Sequence, residues 1–524
     1  MMTTGSSAAS ARPYEGKAAQ RRSTWDYLIE DMETVANVFA CLVHENFDCV
    51  VDLLRNLNYF DPGAPILLYN GSANPDFLNG RFPFERFHAR LIPGSHPLHW
   101  GRLHDFALDC FQFALQHYTF SALTIVDSDQ LLIRGGYSAF LQAFLQDKPK
   151  AGLLGSTENQ FGPQTSQHVA RVAEAESELW RPLVERFEGD PHRFVRWSFW
   201  PATVFTYPAV QDIVKVFLYE PQLQQILSRT RIHATEEVIF PTLVGLLGYE
   251  VGANPCSYQF IRYKVNYTPE KLEQALRTTD AYWLHPIPRR YEDPLRKALR
   301  ARFDHWAPAC HPIGDGGRSP DPPLFLTLPI LQQAGRVDGW LDDEEADLLI
   351  AITRDVVKRQ SGDSPGAIVE VGSYCGKASL VIGLTLQRLG AGRFKLYAID
   401  PHDGRVGSLD QGIVQSPPTY EKFCHNIAAA GLTSLVEPLR ARSCDVRWER
   451  PVALLLIDGL HDYPNVARDF LHFAPWVQPR GLVAFHDAAE YYPGVTSFVA
   501  ELLCGGEYRL RAQVKSLAVL QKAA

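Results

Sequence analysis

Short apolar runs bounded by polar turns recur along the chain. Between them lie segments whose apolar residues repeat with helical period. In the first half, Pro65–Tyr69, Leu123–Val126 and Ala151–Leu154 read as strands, and Leu103–Gln116, after a Trp100-Gly101 turn, reads as an amphipathic helix. In the second half the alternation is regular: helix Leu341–Lys358, strand Ala367–Val371, helix Lys377–Leu389, strand Lys395–Ile399, then apolar runs at Leu454–Ile457 and from Gly481. Strands alternating with helices predict an α/β protein with parallel sheets in both halves. Residues 306–335, WAPACHPIGDGGRSPDPPLFLTLPILQQAG, are dense in Pro and Gly and read as a linker. Residues 1–24 are small and polar without an apolar core, which predicts a disordered tail rather than a signal peptide. The expected organisation is a tail (1–24), an N-terminal domain (25–305), the linker (306–335) and a C-terminal domain (336–524).

In open parallel sheets ligands bind beyond the carboxyl ends of the strands, so the residues after each apolar run carry the functional signal. In the C-terminal half, AIVEVGSYCGKASLVIG (Ala367–Gly383) places Glu370 near a strand end and then Gly372, Ser373 and Gly376 in a turn before a helix. Glycines there let the backbone approach a ligand, and the helix N-terminus favours polar or anionic groups. The turn lacks the GxGxxG of a dinucleotide fold. The next strand ends at Asp400, an acid placed either to accept from ribose hydroxyls or to cap its own loop. Together the turn and the acid favour nucleoside binding. LLLIDGLHDYPNV (454–466) then delivers Asp458, His461 and Asp462, and GLVAFHDA (Gly481–Ala488) delivers His486 and Asp487. Parallel strands force these tips onto one edge. Carboxylate oxygens suit Mg²⁺, and a neutral His can take the proton of a metal-bound hydroxyl. Asp and His pairs also suit Fe(II).

In the N-terminal half an apolar strand ends at Asp127-Ser128-Asp129. Acids at this spacing either hold a divalent metal against a diphosphate or cap a turn. RIHATEEVIFPTL (Arg231–Leu243) offers Thr235 as the cap of a helix that begins with Glu236 and Glu237; a carboxylate there, facing a cleft, would suit deprotonation of an acceptor hydroxyl. AYWLHPIPRRYEDPLRKALR (Ala281–Arg300) puts His285, a candidate third metal ligand, close to Arg289 and Arg290. These arginines either neutralise a leaving diphosphate or form a solvated basic face. Trp197 and Trp200 in RWSFWP either stack on a sugar ring or belong to the core.

With these motifs in view, Arg336–Ala524 resembles the class I S-adenosylmethionine-dependent methyltransferases, and more narrowly the sugar O-methyltransferases related to macrocin O-methyltransferase. The resemblance rests on an apolar strand, then Asp458-Gly459-Leu460-His461-Asp462-Tyr463, then His486-Asp487 at a later strand end. It implies that Glu370, Gly372, Ser373, Gly376 and Asp400 hold S-adenosylmethionine, with Ser443 and Asp445 near the adenine. It also implies a divalent metal, Mg²⁺ or Mn²⁺, on Asp458 and Asp487, with His461 as general base. Pro65–Arg300 resembles, patchily, GT-A glycosyltransferases of the core-2/I-branching N-acetylglucosaminyltransferase type. That implies a nucleotide-sugar donor, Glu237 as catalytic base and Arg289 and Arg290 on the diphosphate. The chain departs from the named family at Asp127-Ser128-Asp129: that family works without metal, whereas these two acids with His285 form a candidate metal set. The two resemblances imply a bifunctional tailoring enzyme that transfers a sugar and O-methylates a sugar of a small molecule or glycan. The alternative is a methyltransferase whose N-terminal half is a degenerate glycosyltransferase that binds glycan.

Composition bounds these readings. At roughly 100–200 residues per domain, 524 residues make two to four domains. A net charge of -8 gives no global electrostatic case for nucleic acid as partner. The chain has no apolar run long enough to span a membrane. Nine cysteines without CxxC or zinc spacing read as free thiols of a reducing, cytoplasmic compartment. A homo-oligomer is left open.

Overall fold

The computed structural model describes residues 33–78, 82–98, 101–156, 167–307, 324–360 and 366–524. The expected tail, Trp100 and residues 308–323 of the expected linker lie outside them.

The N-terminal half is built on strands β1 (Glu33–Val43), β2 (Ile66–Asn70), β3 (Ala89–Leu91), β4 (Tyr118–Asp127), β6 (Ala151–Gly155), β7 (Val204–Phe205) and β8 (Glu250–Ala253); the two-residue strand β5 (Leu131–Leu132) stands apart. Their order is β3-β2-β1-β4-β7-β6-β8. β1 and β4 sit at the centre, covered on both faces, and therefore read as nearly continuous apolar runs rather than alternating ones. From β1 the chain winds outward through β2 and β3, then returns to β4 on the other side of β1. This reversal opens a crevice beyond the carboxyl ends of β1 and β4. Leu42 pairs with Asp127 in register, so the loop after β1 and the loop after β4 meet there. β5 pairs antiparallel with β9 (Trp283–Leu284), Leu131 opposite Leu284, which brings His285 beside the Asp127–Asp129 loop.

The C-terminal half repeats this logic. Strands β10 (Ala367–Val371), β11 (Leu396–Ile399), β14 (Val436–Leu439), β15 (Val452–Ile457), β16 (Val477–Phe485), β17 (Tyr508–Val514) and β18 (Leu517–Lys522) run in the order β14-β11-β10-β15-β16-β18-β17. The first five are mutually parallel, and β18 and β17 close the edge antiparallel. The winding reverses between β10 and β15. Val371 pairs with Ile457, and Ile457 with Phe485, so Gly372, Asp458 and His486 follow three neighbouring strands at one level. A hairpin of β12 (Arg405–Ser408) and β13 (Gly412–Gln415) rises from the loop after β11.

The two halves pack on each other. Val51, from the helix Phe47–Phe60, is buried in the same apolar cluster as Val369, Tyr463 and Phe498 of the C-terminal sheet and its helices. The Arg55 guanidinium lies 3.5 Å from the centre of the Tyr463 ring and 3.3 Å from Glu501. Arg468 meets Asp48 at 3.0 Å.

Two expectations change. Within 306–335, Leu324–Ala334 is a helix whose Ile330 and Ala334 are buried in the C-terminal core, so this end of the expected linker packs on the C-terminal half. Seven cysteines are free thiols, but Cys504 is disulfide-bonded, so the expectation of nine free thiols fails there. Local spacing carries no sign of this, because only a nearby pair such as CxxC would leave one; Cys310 lies outside the described residues.

Candidate active sites

The crevice of the C-terminal sheet holds a cavity of about 830 Å³. Glycine is required at its floor. Gly372 has φ +88°, and a Cβ on it would fall 2.0 Å from the Asp458 carbonyl oxygen. Gly376, with φ +90°, is the N-cap of the helix Lys377–Arg388. Ser373, beside them, is buried with an unpartnered Oγ. The Asp400 carboxylate accepts from the backbone N–H of Tyr374 at 2.8 Å and of His402 at 2.6 Å, which ties the first turn to the second strand tip. Glu370 also lines the cavity, buried and hydrogen-bonded by the Ser379 hydroxyl. Burial, with Asp458 and Asp400 adding to it, pushes Glu370 up to about 8. Ser443 reaches the cavity and donates to Asp469. Asp445 does not reach it: the residue is exposed at the far side of the short turn Ser443–Asp445.

At the other end of the cavity Asp458, His486 and Asp487 present ligand atoms that lie within 4.8 Å of one another. His461 Nε2 is 3.0 Å from Asp487 and 3.7 Å from Asp458, and its ring lies against that of Tyr492, tilted by 31°, with centroids 4.4 Å apart. Burial opposes ionisation of Asp458, yet His486 and His461 hold its carboxyl down to about 2. Asp487 has φ +57°, a left-handed conformation that a non-glycine residue adopts at a cost, and Tyr491 donates to its Oδ1 at 3.0 Å. Asp462 is not part of the set. It caps the helix Tyr463–Phe473, accepting from Asn465 N at 3.2 Å, and accepts from Leu409 N at 3.0 Å.

In the N-terminal crevice Asp127, Asp129 and His285 form a second such set. His285 Nδ1 donates to the Arg262 carbonyl at 2.8 Å, which leaves Nε2 facing Asp129 at 3.3 Å and Asp127 at 3.7 Å. Buried Oδ1 atoms of both acids have no hydrogen-bond partner. Burial pushes Asp127 up to about 6, whereas Asp129, also buried, is held down by His285 and Arg289. Arg289 reaches Asp129 at 3.0 Å, Ser128 Oγ at 2.6 Å and Glu45 at 3.4 Å. Arg290 is not brought in: its exposed side chain pairs with Asp293 at 3.4 Å. Glu237 accepts from Trp197 Nε1 at 3.1 Å and from Trp200 N at 3.4 Å. Burial, then the neighbouring Glu236, pushes it up to about 8. Glu236 is turned inward and accepts from Leu103 N at 3.0 Å. Thr235 makes no cap bond; its hydroxyl meets His104 Nδ1 at 2.8 Å. Trp200 is a core residue, stacked on Phe240.

Sequence reasoning passed over the segment 44–48, the turn after β1 and the start of the helix Phe47–Phe60. Asn46 donates to the Arg289 carbonyl and Glu45 pairs with Arg289, while Asp48 lines the C-terminal cavity. The apolar stretch of ETVANVFACLV, followed at once by His, Glu and Asn, was the available signal.

Residues 369–488 match a family model described as a methyltransferase domain. Solved structures similar to this chain include the O-methyltransferase NovP, with 17% identity over 38% of this chain and 99% of that one and a TM-score of 0.33. The calicheamicin methyltransferase CalS11 shares 18% identity over 40% of this chain and 99% of its own, with a TM-score of 0.27. The Podospora anserina methyltransferase PaMTH1, in an SAH-bound form, shares 12% over 40% and 91%, with a TM-score of 0.27. Likenesses of this order transfer no substrate. Residues 369–488 of this chain form a methyltransferase domain.

Proposed function

We propose that the C-terminal half O-methylates a sugar hydroxyl with S-adenosylmethionine and a divalent cation, and that the N-terminal half transfers a sugar from a nucleotide donor with inversion. The observation that supports the pairing is the segment 44–48, a short loop running into the helix Phe47–Phe60, which carries Glu45 at one crevice and Asp48 at the other.

The cavity between Gly372 and Asp400 fits a nucleoside: a glycine floor, an unpartnered Ser373 hydroxyl and a strand-tip acid. Asp458 and Asp487 fit a hard cation. S-adenosylmethionine supplies an electrophilic methyl on sulfonium, and a cation on these acids would make a sugar hydroxyl more acidic. His461 then takes the hydroxyl proton on Nε2 as the oxygen–methyl bond forms and the sulfur–methyl bond breaks. Asp487 and Asp458, at 3.0 and 3.7 Å, stabilise the resulting imidazolium. Tyr492 fixes the ring plane.

In the N-terminal crevice Glu237 would take the acceptor proton as its oxygen attacks the anomeric carbon, and Arg289 would face the departing diphosphate. Asp127, Asp129 and His285 fit a cation there, since two buried carboxylate oxygens lack partners. One observation favours the second reading, a glycan-binding half without turnover: Arg289 already neutralises Asp129 at 3.0 Å. Incubation of the full chain with a panel of nucleotide sugars and deuteromethyl-labelled S-adenosylmethionine in extract of the producing organism, read by mass spectrometry, separates the two. Labelled product with no nucleotide sugar consumed leaves only the methyltransferase; absence of labelled product rejects the methyl-transfer reading.

A further inference from the structure

The β12–β13 hairpin leaves the sheet after β11 and lines the methyltransferase cavity through Arg405, Gly407, Leu409 and Val414. In the sheet, β10 lies between β11 and β15. The hairpin starts on the Asp400 side of β10 and is bonded on the β15 side. There the Gly407 carbonyl accepts from His461 N at 2.9 Å, and Leu409 N donates to the Asp462 carboxylate at 3.0 Å. It therefore spans the cavity across from the Gly372 turn, and both bonds hold the backbone that carries the His461 ring.

Such a hairpin would not keep this place unaided. Its strands have four residues each, pair only with one another, and leave Arg405, Gly412 and Val414 exposed. Two short strands without a third are marginal in water. The tip is held from outside. Asp410, in the turn, is buried, and Arg300 Nη2 of the N-terminal half lies 3.8 Å from its carboxylate. Among the described residues Arg300 is the one cation paired with Asp410. Arg300 is itself fixed: it is 1 % exposed, lies 3.9 Å from the centre of the Tyr291 ring, donates to the Tyr291 carbonyl at 2.7 Å and has Asp52 at 3.3 Å. An immobile buried cation thus faces a buried acid at the end of a pliable hairpin. A buried carboxylate is costly without its counter-charge, so the pair ties the tip to the N-terminal half.

We propose that Asp410 is a positioning residue for methyl transfer: docked on Arg300 of the N-terminal half, it sets the hairpin and, through Gly407 and Leu409, the backbone of His461. The inference rests on the reading of His461 as the proton acceptor. The methyltransferase domain alone, residues 369–488, lacks one support of its own base, and the N-terminal half supplies it. Misplacing a reacting group by about 1 Å costs about 10²-fold in rate. The loss falls on turnover and not on cofactor binding, because Asp400 is tied to the Gly372 turn by the N–H groups of Tyr374 and His402, which the hairpin strands do not enter.

The test compares full chains of wild type, Asp410→Asn, Asp410→Glu and Arg300→Gln. Three quantities are read: amide hydrogen exchange in peptides covering 403–416 and 456–465, S-adenosylhomocysteine affinity by calorimetry, and labelled product formed from saturating deuteromethyl S-adenosylmethionine in extract of the producing organism. Asp410→Asn keeps the size of the side chain and removes its charge. Exchange in both peptides should quicken at least about tenfold and product formation should fall at least about tenfold, while S-adenosylhomocysteine affinity changes by less than about threefold. Asp410→Glu, which restores the charge, should recover most of both. Arg300→Gln should match Asp410→Asn where it folds, and Asp410→Asn decides where it does not. A lower melting temperature with exchange in 456–465 and turnover unchanged overturns the inference, makes the contact structural only, and leaves the methyl-transfer reading standing. Turnover lost together with S-adenosylhomocysteine affinity overturns it as well, since the damage then lies in the cofactor site. No labelled product from wild type overturns both.

Discussion

Removing the carboxylate of Asp52 tests a buried charge cluster of the N-terminal half that reaches the C-terminal half through Arg300. Asp52 is fully buried in the helix Phe47–Phe60 and accepts from Arg296 Nη1 at 2.8 Å and Trp306 Nε1 at 2.9 Å, with Arg300 Nη1 at 3.3 Å. Both guanidiniums are themselves buried. Arg296 also donates to the carbonyls of Pro288 at 2.8 Å and Ser128 at 3.4 Å, next to the acids of the N-terminal crevice. Arg300 donates to the Tyr291 carbonyl at 2.7 Å, and its Nη2 lies 3.8 Å from Asp410, at the tip of the β12–β13 hairpin. In Asp52→Ala two cations stay out of water with one distant acid between them. Breaking a buried pair in this way costs about 3–5 kcal/mol. At about 2–4 °C per kcal/mol for a unit of this size, the first calorimetric transition of the full chain should fall by roughly 10 °C at pH 7. Asp52→Asn, which keeps an acceptor but not the charge, should lose less. The pH dependence has a definite sign. Burial opposes ionisation, but Arg300 and Arg296 win, and the Asp52 carboxyl lies below its ordinary value. A depressed folded value gives stability that is present above the unfolded value near 3.9 and lost as pH falls through the folded one. The difference between wild type and Asp52→Ala should therefore shrink below about pH 4. A melting temperature within about 2 °C of wild type at pH 7 would refute the reasoning.

Three further outcomes are expected. Gly372→Ala places a Cβ 2.0 Å from the Asp458 carbonyl oxygen, against about 3.5 Å for a relaxed contact, so S-adenosylhomocysteine affinity by calorimetry should drop at least about tenfold. Gly390→Ala, left-handed at φ +61° but facing open space, should cost about 1–2 kcal/mol of stability and leave that affinity alone. Glu237, pushed up to about 8, is mostly protonated at pH 7, so nucleotide-sugar turnover should climb with pH and level off above about 8, and Glu237→Gln should abolish it; a flat profile over that range counts against Glu237 as the base. Pyrophosphate binding in the presence of Mn²⁺ should weaken at least about tenfold in Arg289→Ala and stay unchanged in Arg290→Ala, since only Arg289 faces the acids; equal effects would break the assignment.

The α/β alternation and the tip residues were legible because fully covered parallel strands are written as apolar runs and end where chemistry begins. Ala367–Val371 is a strand with those very bounds, and Asp458, His461 and Asp487 meet at one edge as parallel pairing requires. Side-chain direction was not legible. Arg289 and Arg290 are adjacent, yet one points at Asp129 and the other at solvent, a difference set by the loop's anchoring through Arg296 and Asn46. Glu236 and Glu237 diverge in the same way, because successive residues of a helix face different sides. Asp445 fell outside the cavity because a turn carried it outward, while Trp200 took the core alternative through aromatic packing. Asp410 was invisible, since its partner Arg300 lies in the other half of the chain.

A long Pro/Gly-rich stretch alone would let two domains tumble past each other, but this interface holds polar groups with defined partners. The segment 44–48 places Glu45 against Arg289 and Asp48, in the first turn of the helix Phe47–Phe60, against Arg468 at the C-terminal cavity. Glu45 and Asp48 are three positions apart, so their Cα atoms stand at most about 10 Å apart. The Asp410 end of the β12–β13 hairpin meets Arg300, while its Leu409 and Gly407 bond Asp462 and His461. The wall of one crevice is thus part of the support of the other. Two freely tethered domains would not share such a wall. The same contacts bring Asp48 of the N-terminal half into the lining of the C-terminal cavity, so that cavity is built by both halves and not by the methyltransferase domain alone.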